Sequence, residues 1–138
     1  MDEKVKYWLE LSDYDLETAK VMLTGKRYLY VGFMCHQVIE KALKAYYQSI
    51  KNEIPPKIHN LLFFAEHTGL LALMNEEQVD FLTKISPLNV ESRYPEYKER
   101  ILKILDEKTS KNLLEKTGAL QEWIKEKLLI KQENTLNL

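Results

Sequence analysis

The chain of 138 residues contains one cysteine, four glycines and four prolines. A single cysteine cannot form an internal disulfide, and the first residues do not resemble a secretory signal, so we expect a cytoplasmic protein. The absence of a run of about 18 apolar residues excludes a transmembrane helix. The scarcity of glycine and proline argues against a fold of many short strands, because the turns between strands need these residues.

Sequence motifs of several enzyme classes are also missing. The chain has no glycine-rich phosphate loop, no Gly-x-Gly-x-x-Gly and no Gly-x-Ser-x-Gly nucleophile elbow. His36 and Glu40 form one pair four residues apart, whereas a di-metal site in a bundle needs matching pairs on facing helices, so we expect no metal and no cofactor. Cys35 falls on an apolar stripe, which predicts a buried thiol rather than a nucleophile.

The residues that are present favour helices. Apolar residues make up 45% of the chain, enough for one core, and they recur three or four positions apart. We therefore predict an all-α fold, an antiparallel up-and-down bundle of four to five helices. We expect one domain over residues 1–131 and a polar C-terminal tail over 132–138. The pattern predicts helices over residues 5–23, 28–50, 59–68, 76–85 and 110–129, with another turn or two of helix within 97–105.

The second predicted helix carries a polar strip next to its apolar stripe. At helical spacing, Gln37, Lys41 and Lys44 share one face, and His36, Glu40 and Lys44 form an adjacent line. Periodicity alone favours a solvated face in which Glu40 and Lys44 form an ion pair worth a few tenths of a kcal/mol. The alternative is a strip that contacts a ligand.

Three ordered motifs resemble the HEPN domain, a helical nucleotide-binding module of prokaryotes and higher eukaryotes. They are IEKALKA at 39–45, PPKIHNL at 55–61 and SRYPE at 92–96, and the resemblance covers about residues 3–130. It implies a bundle of four to five helices and frequent homodimers. In bacteria and archaea it also implies a minimal nucleotidyltransferase as partner, the two proteins acting as toxin and antitoxin.

Many proteins of this family are ribonucleases, whose site pairs an arginine with a histidine four to six residues later. Order along the chain assigns the arginine to Arg93, but residues 94–100 contain no histidine. RNA cleavage needs a base for the 2′-hydroxyl and a cation for the developing phosphorane charge. Arg93 supplies the cation, and His59 supplies the base if the fold brings it close to Arg93. Alternatively, His59 or Asn60 caps the following helix.

Three functions therefore stay open. The preferred one is a nucleotide- or RNA-binding module that acts with a minimal nucleotidyltransferase. The others are a ribonuclease toxin with a non-standard site and a non-catalytic subunit that binds the partner protein. Arg93 also suits a bidentate ion pair with Glu40. The resemblance to systems in which the partner adenylates a tyrosine of the HEPN protein implies Tyr94 or Tyr97 as the acceptor. The predicted nucleotide-binding residues are Lys41, Lys44, Arg93, Tyr94, His36, Gln37 and Glu40.

Local charge agrees with a phosphate-binding groove beside the second helix. Residues 36–61 hold four basic and two acidic side chains, whereas residues 66–91 hold one basic and five acidic ones. The whole chain has a formal net charge of only -1, so general affinity for polyanions is not expected.

Overall fold

The computed structural model describes residues 1–89 and 95–136, and within these it forms helices connected by short loops. The predicted all-α bundle is confirmed. Among the described residues, no helix is both long and apolar enough to cross a lipid bilayer. The helices are α1 (Glu3–Thr24), α2 (Tyr28–Lys51), α3 (Leu61–His67), α4 (Leu70–Leu73), α5 (Glu76–Ile85), α6 (Pro95–Ile104) and α7 (Glu107–Leu136), with a 3-10 turn at Ser86–Leu88.

Side-chain caps begin several of these helices where the sequence predicts them. The side chain of Asn60 accepts a hydrogen bond from the amide of Phe63, so Asn60 rather than His59 caps α3. Asn75 and Gln78 form the expected capping box at the start of α5, with bonds of 2.8 and 3.0 Å. Each cap satisfies first-turn amides that have no partner within the helix.

Two features differ from the predicted helix pattern. The four-residue helix α4 follows Gly69, which has a φ of 83°, and a single turn is too short to produce an apolar period. The last helix continues to Leu136, so the polar tail predicted after residue 131 is largely helical. One of its polar residues contacts the bundle, since the amide of Gln132 donates to the hydroxyl of Ser49 on α2 over 3.4 Å.

Helix α2 is the centre of the bundle, because most of its residues are buried. Only residues 25–27 connect it to α1, so these two helices pack antiparallel. Near its start, a Cβ added to Gly32 would lie 2.9 Å from Leu105 Cδ1, and near its end Ser49 meets Gln132. Leu105 lies just before α7, and Gln132 lies near its end. Helix α7 therefore runs in the same direction as α2, as the second and fourth helices of an up-and-down bundle do. Cys35 is buried between them, as predicted.

A buried hydrogen-bond chain joins the three long helices. The hydroxyl of Ser12 on α1 donates to the carbonyl oxygen of Val38 on α2 over 2.7 Å, and Gln121 on α7 donates to the Ser12 oxygen over 2.9 Å. Asp13 extends this chain, because its Oδ1 accepts from Gln121 over 3.0 Å and from Lys125 over 2.6 Å. These contacts set the rotation of α1, and thus which of its faces covers the polar strip of α2.

Two glycines are expected to respond oppositely to alanine. Gly69→Ala forces a side chain into the left-handed region and should lower the free energy of unfolding by about 1 kcal/mol. Gly118→Ala adds a methyl group in open space within α7 and should raise it by roughly 0.5–1 kcal/mol. Urea unfolding followed by circular dichroism measures both, and a destabilising Gly118→Ala would contradict the described packing of α7.

Candidate functional site

The polar strip of α2 is buried, which corrects the solvated-face interpretation. His36, Glu40 and Lys44 are 0%, 2% and 6% exposed. Helix α1 covers one side of the strip with Trp8, and α3 covers the other side with Phe64. Periodicity within one helix cannot reveal this burial, because it results from neighbours that are remote in sequence.

The carboxylate of Glu40 is the centre of the site. Its Oε2 accepts a hydrogen bond from Lys44 Nζ over 3.1 Å, and its Oε1 accepts one from His59 Nδ1 over 3.0 Å. His36 Nδ1 lies 3.8 Å from the same Oε1, too far for a hydrogen bond. One buried carboxylate thus brings together three of the residues that the sequence selected.

Lys44 is held as firmly as Glu40. Its ammonium lies 5.4 Å from the ring centroid of Trp8 and 5.7 Å from that of Phe64, within the range of cation–π attraction. Because a buried charge without its counter-ion costs several kcal/mol, the Glu40–Lys44 pair is mutually dependent. The Lys44 ammonium is therefore the counter-ion of Glu40 and is buried from solvent.

Lys41 belongs to a neighbouring polar group. Its Nζ donates to Gln37 Oε1 over 2.7 Å and lies 3.4 Å from Asp15 Oδ2 on α1. Burial raises the pKa of Asp15, and the adjacent Lys41 ammonium opposes that rise. The amide of Gln37 in turn donates to Asn89 Oδ1 over 3.1 Å, so this polar group extends to the residue that follows the 3-10 turn.

His59 connects the buried site with solvent. Its side chain is 62% exposed although its Nδ1 is bonded to Glu40, which is 2% exposed. An ionised carboxylate only accepts hydrogen bonds, so Nδ1 is the donor, and in the neutral ring Nε2 is the nitrogen with a lone pair. Among the described residues nothing hydrogen-bonds to Nε2. A carboxylate that fixes the ring and tautomer of an exposed imidazole produces a positioned proton acceptor.

The other two histidines have different surroundings. Neither ring nitrogen of the fully buried His36 has a hydrogen-bond partner among the described residues. Burial is the main cause that lowers the pKa of His36 to about 4, against the attraction of Glu40, so the ring is neutral at pH 7. His67 donates from Nδ1 to the carbonyl of Phe63 over 2.9 Å and stacks on its ring, a structural arrangement.

Arg93 and Tyr94 lie outside the described residues, so their positions relative to the strip stay predictions. The structure adds residues that the sequence interpretation did not select for the site: Trp8, Asp15, Phe64 and Asn89. Asp15 is an acidic residue near the apolar stripe of α1, and that position was the available signal. Its pairing with Lys41 depends on how α1 and α2 are rotated about each other.

Comparison with known families assigns the chain to one group of proteins. The family model described as the HEPN domain matches residues 5–128. The chain belongs to the HEPN domain family. This match includes α2, the loop with His59 and most of α7.

Two solved structures share the fold of this HEPN protein. An archaeal HEPN homologue, ST0689, has a TM-score of 0.71 at 21% identity, and the match covers 92% of this chain and 99% of that one. The protein TT1696 from Thermus thermophilus also has a TM-score of 0.71, at 18% identity, with coverage of 91% and 99%. A search of curated proteins found no significant match.

The buried His36 predicts a specific pH dependence of stability. Above pH 6.5 its ring is mostly neutral in both the folded and the unfolded chain, so burial of the ring does not lower the free energy of unfolding. As the pH falls from 6.5 towards 4, His36 binds a proton in the unfolded chain but not in the folded chain, so the free energy of unfolding falls. At about 1.4 kcal/mol per pKa unit, the loss reaches about 3 kcal/mol.

Urea unfolding of the wild type and of His36→Leu between pH 7.5 and pH 4 isolates this contribution. The leucine removes the titrating ring at similar volume, so the variant should lose less stability over this range than the wild type. Identical pH dependence of the two proteins would show that His36 does not resist protonation in the folded state.

Proposed function

We propose that this HEPN protein is a nucleotide- or RNA-binding helical module that acts with a minimal nucleotidyltransferase in a toxin–antitoxin pair. The observation that carries the binding proposal is His59, an exposed imidazole that is positioned by the buried carboxylate of Glu40. The partner class comes from the family resemblance, and on the same ground we propose that the protein is a homodimer. A histidine whose ring is fixed this way can hydrogen-bond a phosphate, ribose or base through Nε2.

The chain segment that leads to His59 carries the positive charge that a phosphate ligand requires. Lys51, the last residue of α2, and Lys57, in the connection between α2 and α3, are both exposed. The acidic residue of this connection, Glu53, already accepts a hydrogen bond from the hydroxyl of Tyr47 over 2.9 Å. The segment from Lys51 to His59 therefore offers cations and an imidazole to solvent. Arg93 is proposed to add a bidentate phosphate contact.

The predicted binding residues of α2 take a different part in this proposal. Lys44, Glu40 and His36 are buried, so in this proposal they do not contact the ligand. Glu40, paired with Lys44, holds His59 in place. Lys41 and Gln37 are partly buried and paired with each other, at the side of the strip that leads to Asn89. We assign them to the support of the site.

Calorimetric titration with ATP, GTP and a short single-stranded RNA at one stated salt concentration tests the module. His59→Ala should weaken binding about tenfold, the usual scale of a lost hydrogen bond to a charged group, and Arg93→Ala should weaken it at least as much. His67→Ala is the matched control, because His67 is also exposed but bonds only within α3. Equal affinities of the His59→Ala variant and the wild type would refute the site.

A second candidate function is RNA cleavage, which the hydrogen bond between Glu40 and His59 specifically favours. His59 Nε2 would take the proton of a 2′-hydroxyl, the freed oxygen would attack the adjacent phosphorus, and the 5′-oxygen would leave with a proton from water. Arg93 would stabilise the charge on the phosphorane. The histidine that many relatives have after the arginine is absent from this chain, and His59 is its proposed substitute.

Incubation with total RNA and analysis of the products separates the two candidates. A ribonuclease should release 2′,3′-cyclic phosphate ends, lose this activity in His59→Ala and in Arg93→Ala, and lose roughly 100-fold in Glu40→Gln because the base is no longer positioned. His67→Ala should cleave at the wild-type rate. Ligand binding without cleavage supports the module, and cleavage that survives His59→Ala excludes this site as its source.

A further inference from the structure

Helix α1 carries a second apolar stripe on the side that faces away from the core. Its core stripe contains Val5, Ser12 and Ala19, all buried. Five residues, or about 140° around the helix, separate Ser12 from Tyr7 and Ala19 from Tyr14. We call the outer stripe the α1 row; its residues are Tyr7, Leu11, Tyr14, Thr18 and Val21.

The α1 row reaches solvent at its two ends and at its middle. Tyr7, Tyr14 and Val21 are 59%, 72% and 63% exposed, and Leu11 and Thr18 are half-buried. Single exposed apolar residues are ordinary on a protein surface, but a continuous row of them indicates an interaction site.

The spacing of the α1 row matches the contact seam of a helix pair. Its members follow one another at intervals of four, three, four and three residues, which is the 3.5-residue period of a coiled-coil seam. From Tyr7 to Val21 the row spans about 21 Å. A straight partner helix of similar length can therefore pack along it.

An open cavity extends the row at its N-terminal end. It has a volume of about 300 Å³ and is lined by Tyr7 and Trp8 of α1, by Gln48 of α2 and by Ile54 of the following loop, with Glu3 and Lys4 at its border. Ile54 is 67% exposed. The apolar surface thus continues past the end of α1 and offers a recess for a bulky side chain.

Charge along the row decides which helix fits it. Glu3, Glu10 and Glu17 follow one border of the row at seven-residue intervals. Glu17 pairs with Lys20 over 2.9 Å, whereas Glu3 and Glu10 form no ion pair within the part of the chain that the structure describes. Lys4 contributes one positive charge at the N-terminal end.

A second copy of α1 is a poor occupant for this reason. In an antiparallel pair the same borders of the two helices meet, so glutamate faces glutamate. These like charges oppose the antiparallel pair. In a parallel pair the glutamate border meets the opposite border, where Trp8 and Met22 are apolar and Asp15 is half-buried and paired with Lys41, so the glutamates find no counter-ion. Lys or Arg at the same positions of a partner would pair with Glu3, Glu10 and Glu17.

We propose that the α1 row is a docking surface for a single helix of a partner protein, whose apolar seam is bordered by Lys or Arg. The apolar contacts supply the affinity, and the glutamate border selects the basic partner and excludes an acidic one. This proposal does not rest on nucleotide binding at His59, so a negative result for one proposal leaves the other unaffected.

Two synthetic peptides of 24 residues test the surface. Both carry leucine along a 3.5-residue seam, bordered by lysine in one peptide and by glutamate in the other, and fluorescence anisotropy measures their binding to the full chain. We expect the lysine peptide to bind at least tenfold more tightly. Tyr14→Ser should weaken it about tenfold because a central aromatic contact is lost. Leu129→Ser, at a comparably exposed position on α7, is the matched control and should bind as the wild type does.

Charge reversal provides the decisive variant. Glu10→Lys with Glu17→Lys should invert the preference, so that the glutamate peptide binds more tightly than the lysine peptide. Equal binding of both peptides, binding that Tyr14→Ser leaves unchanged, or no binding of either peptide would overturn the proposal. Sedimentation velocity tests whether a second copy of this chain occupies the row. If the free protein is a dimer that Tyr14→Ser dissociates, the row binds a second copy, and the proposal of a basic partner helix is overturned.

Discussion

The arrangement of the candidate site depends on one buried negative charge, the carboxylate of Glu40. A carboxylate in the interior is tolerated only when cations and hydrogen bonds compensate for the lost water. Lys44 supplies the cation one helical turn later, and His59 supplies a hydrogen bond from the following loop. Because Lys44 in turn lies between the rings of Trp8 and Phe64, the charge ties α1, α2 and α3 to one another.

This arrangement explains how an internal ion pair can serve a surface function. Glu40 and Lys44 do not reach solvent, yet they determine the orientation of His59, which does. The connection between α2 and α3 would otherwise be free to turn the imidazole in several directions. The fold thus uses buried charge to restrict one exposed side chain, and this restriction is what binding or proton transfer requires.

The two faces of α1 make different contributions. Its inner face packs on α2 and contributes Trp8 and Asp15 to the polar groups there, and its outer face carries the α1 row. A surface helix normally exposes polar residues on its outer side. The departure from that pattern is the basis for the docking surface proposed on this side of the helix.

The helical elements of the candidate site could largely be predicted from sequence, because helix period and caps are local. The stretch from Tyr28 to Ile50 shows the period of a core helix, and the capping box of Asn75 and Gln78 is visible as residue types. The turn at Leu70–Leu73 escaped prediction because four residues are too few to show a period. The final helix was underestimated because polar residues after position 131 gave no apolar pattern.

For the candidate site, the sequence predicted the residues but not their contacts. Residue types and their spacing selected His36, Glu40, Lys44 and His59, since these bear the chemistry, but spacing within α2 made the strip look solvated. Burial of the strip, the bond between Glu40 and His59, and the pairing of Lys41 with Asp15 were decided by tertiary packing. The sequence alone determined the helices, the family and the chemical groups, because these depend on neighbours along the chain. Which groups meet, and which one reaches solvent, depends on how helices rotate against one another, and only the tertiary structure decided that.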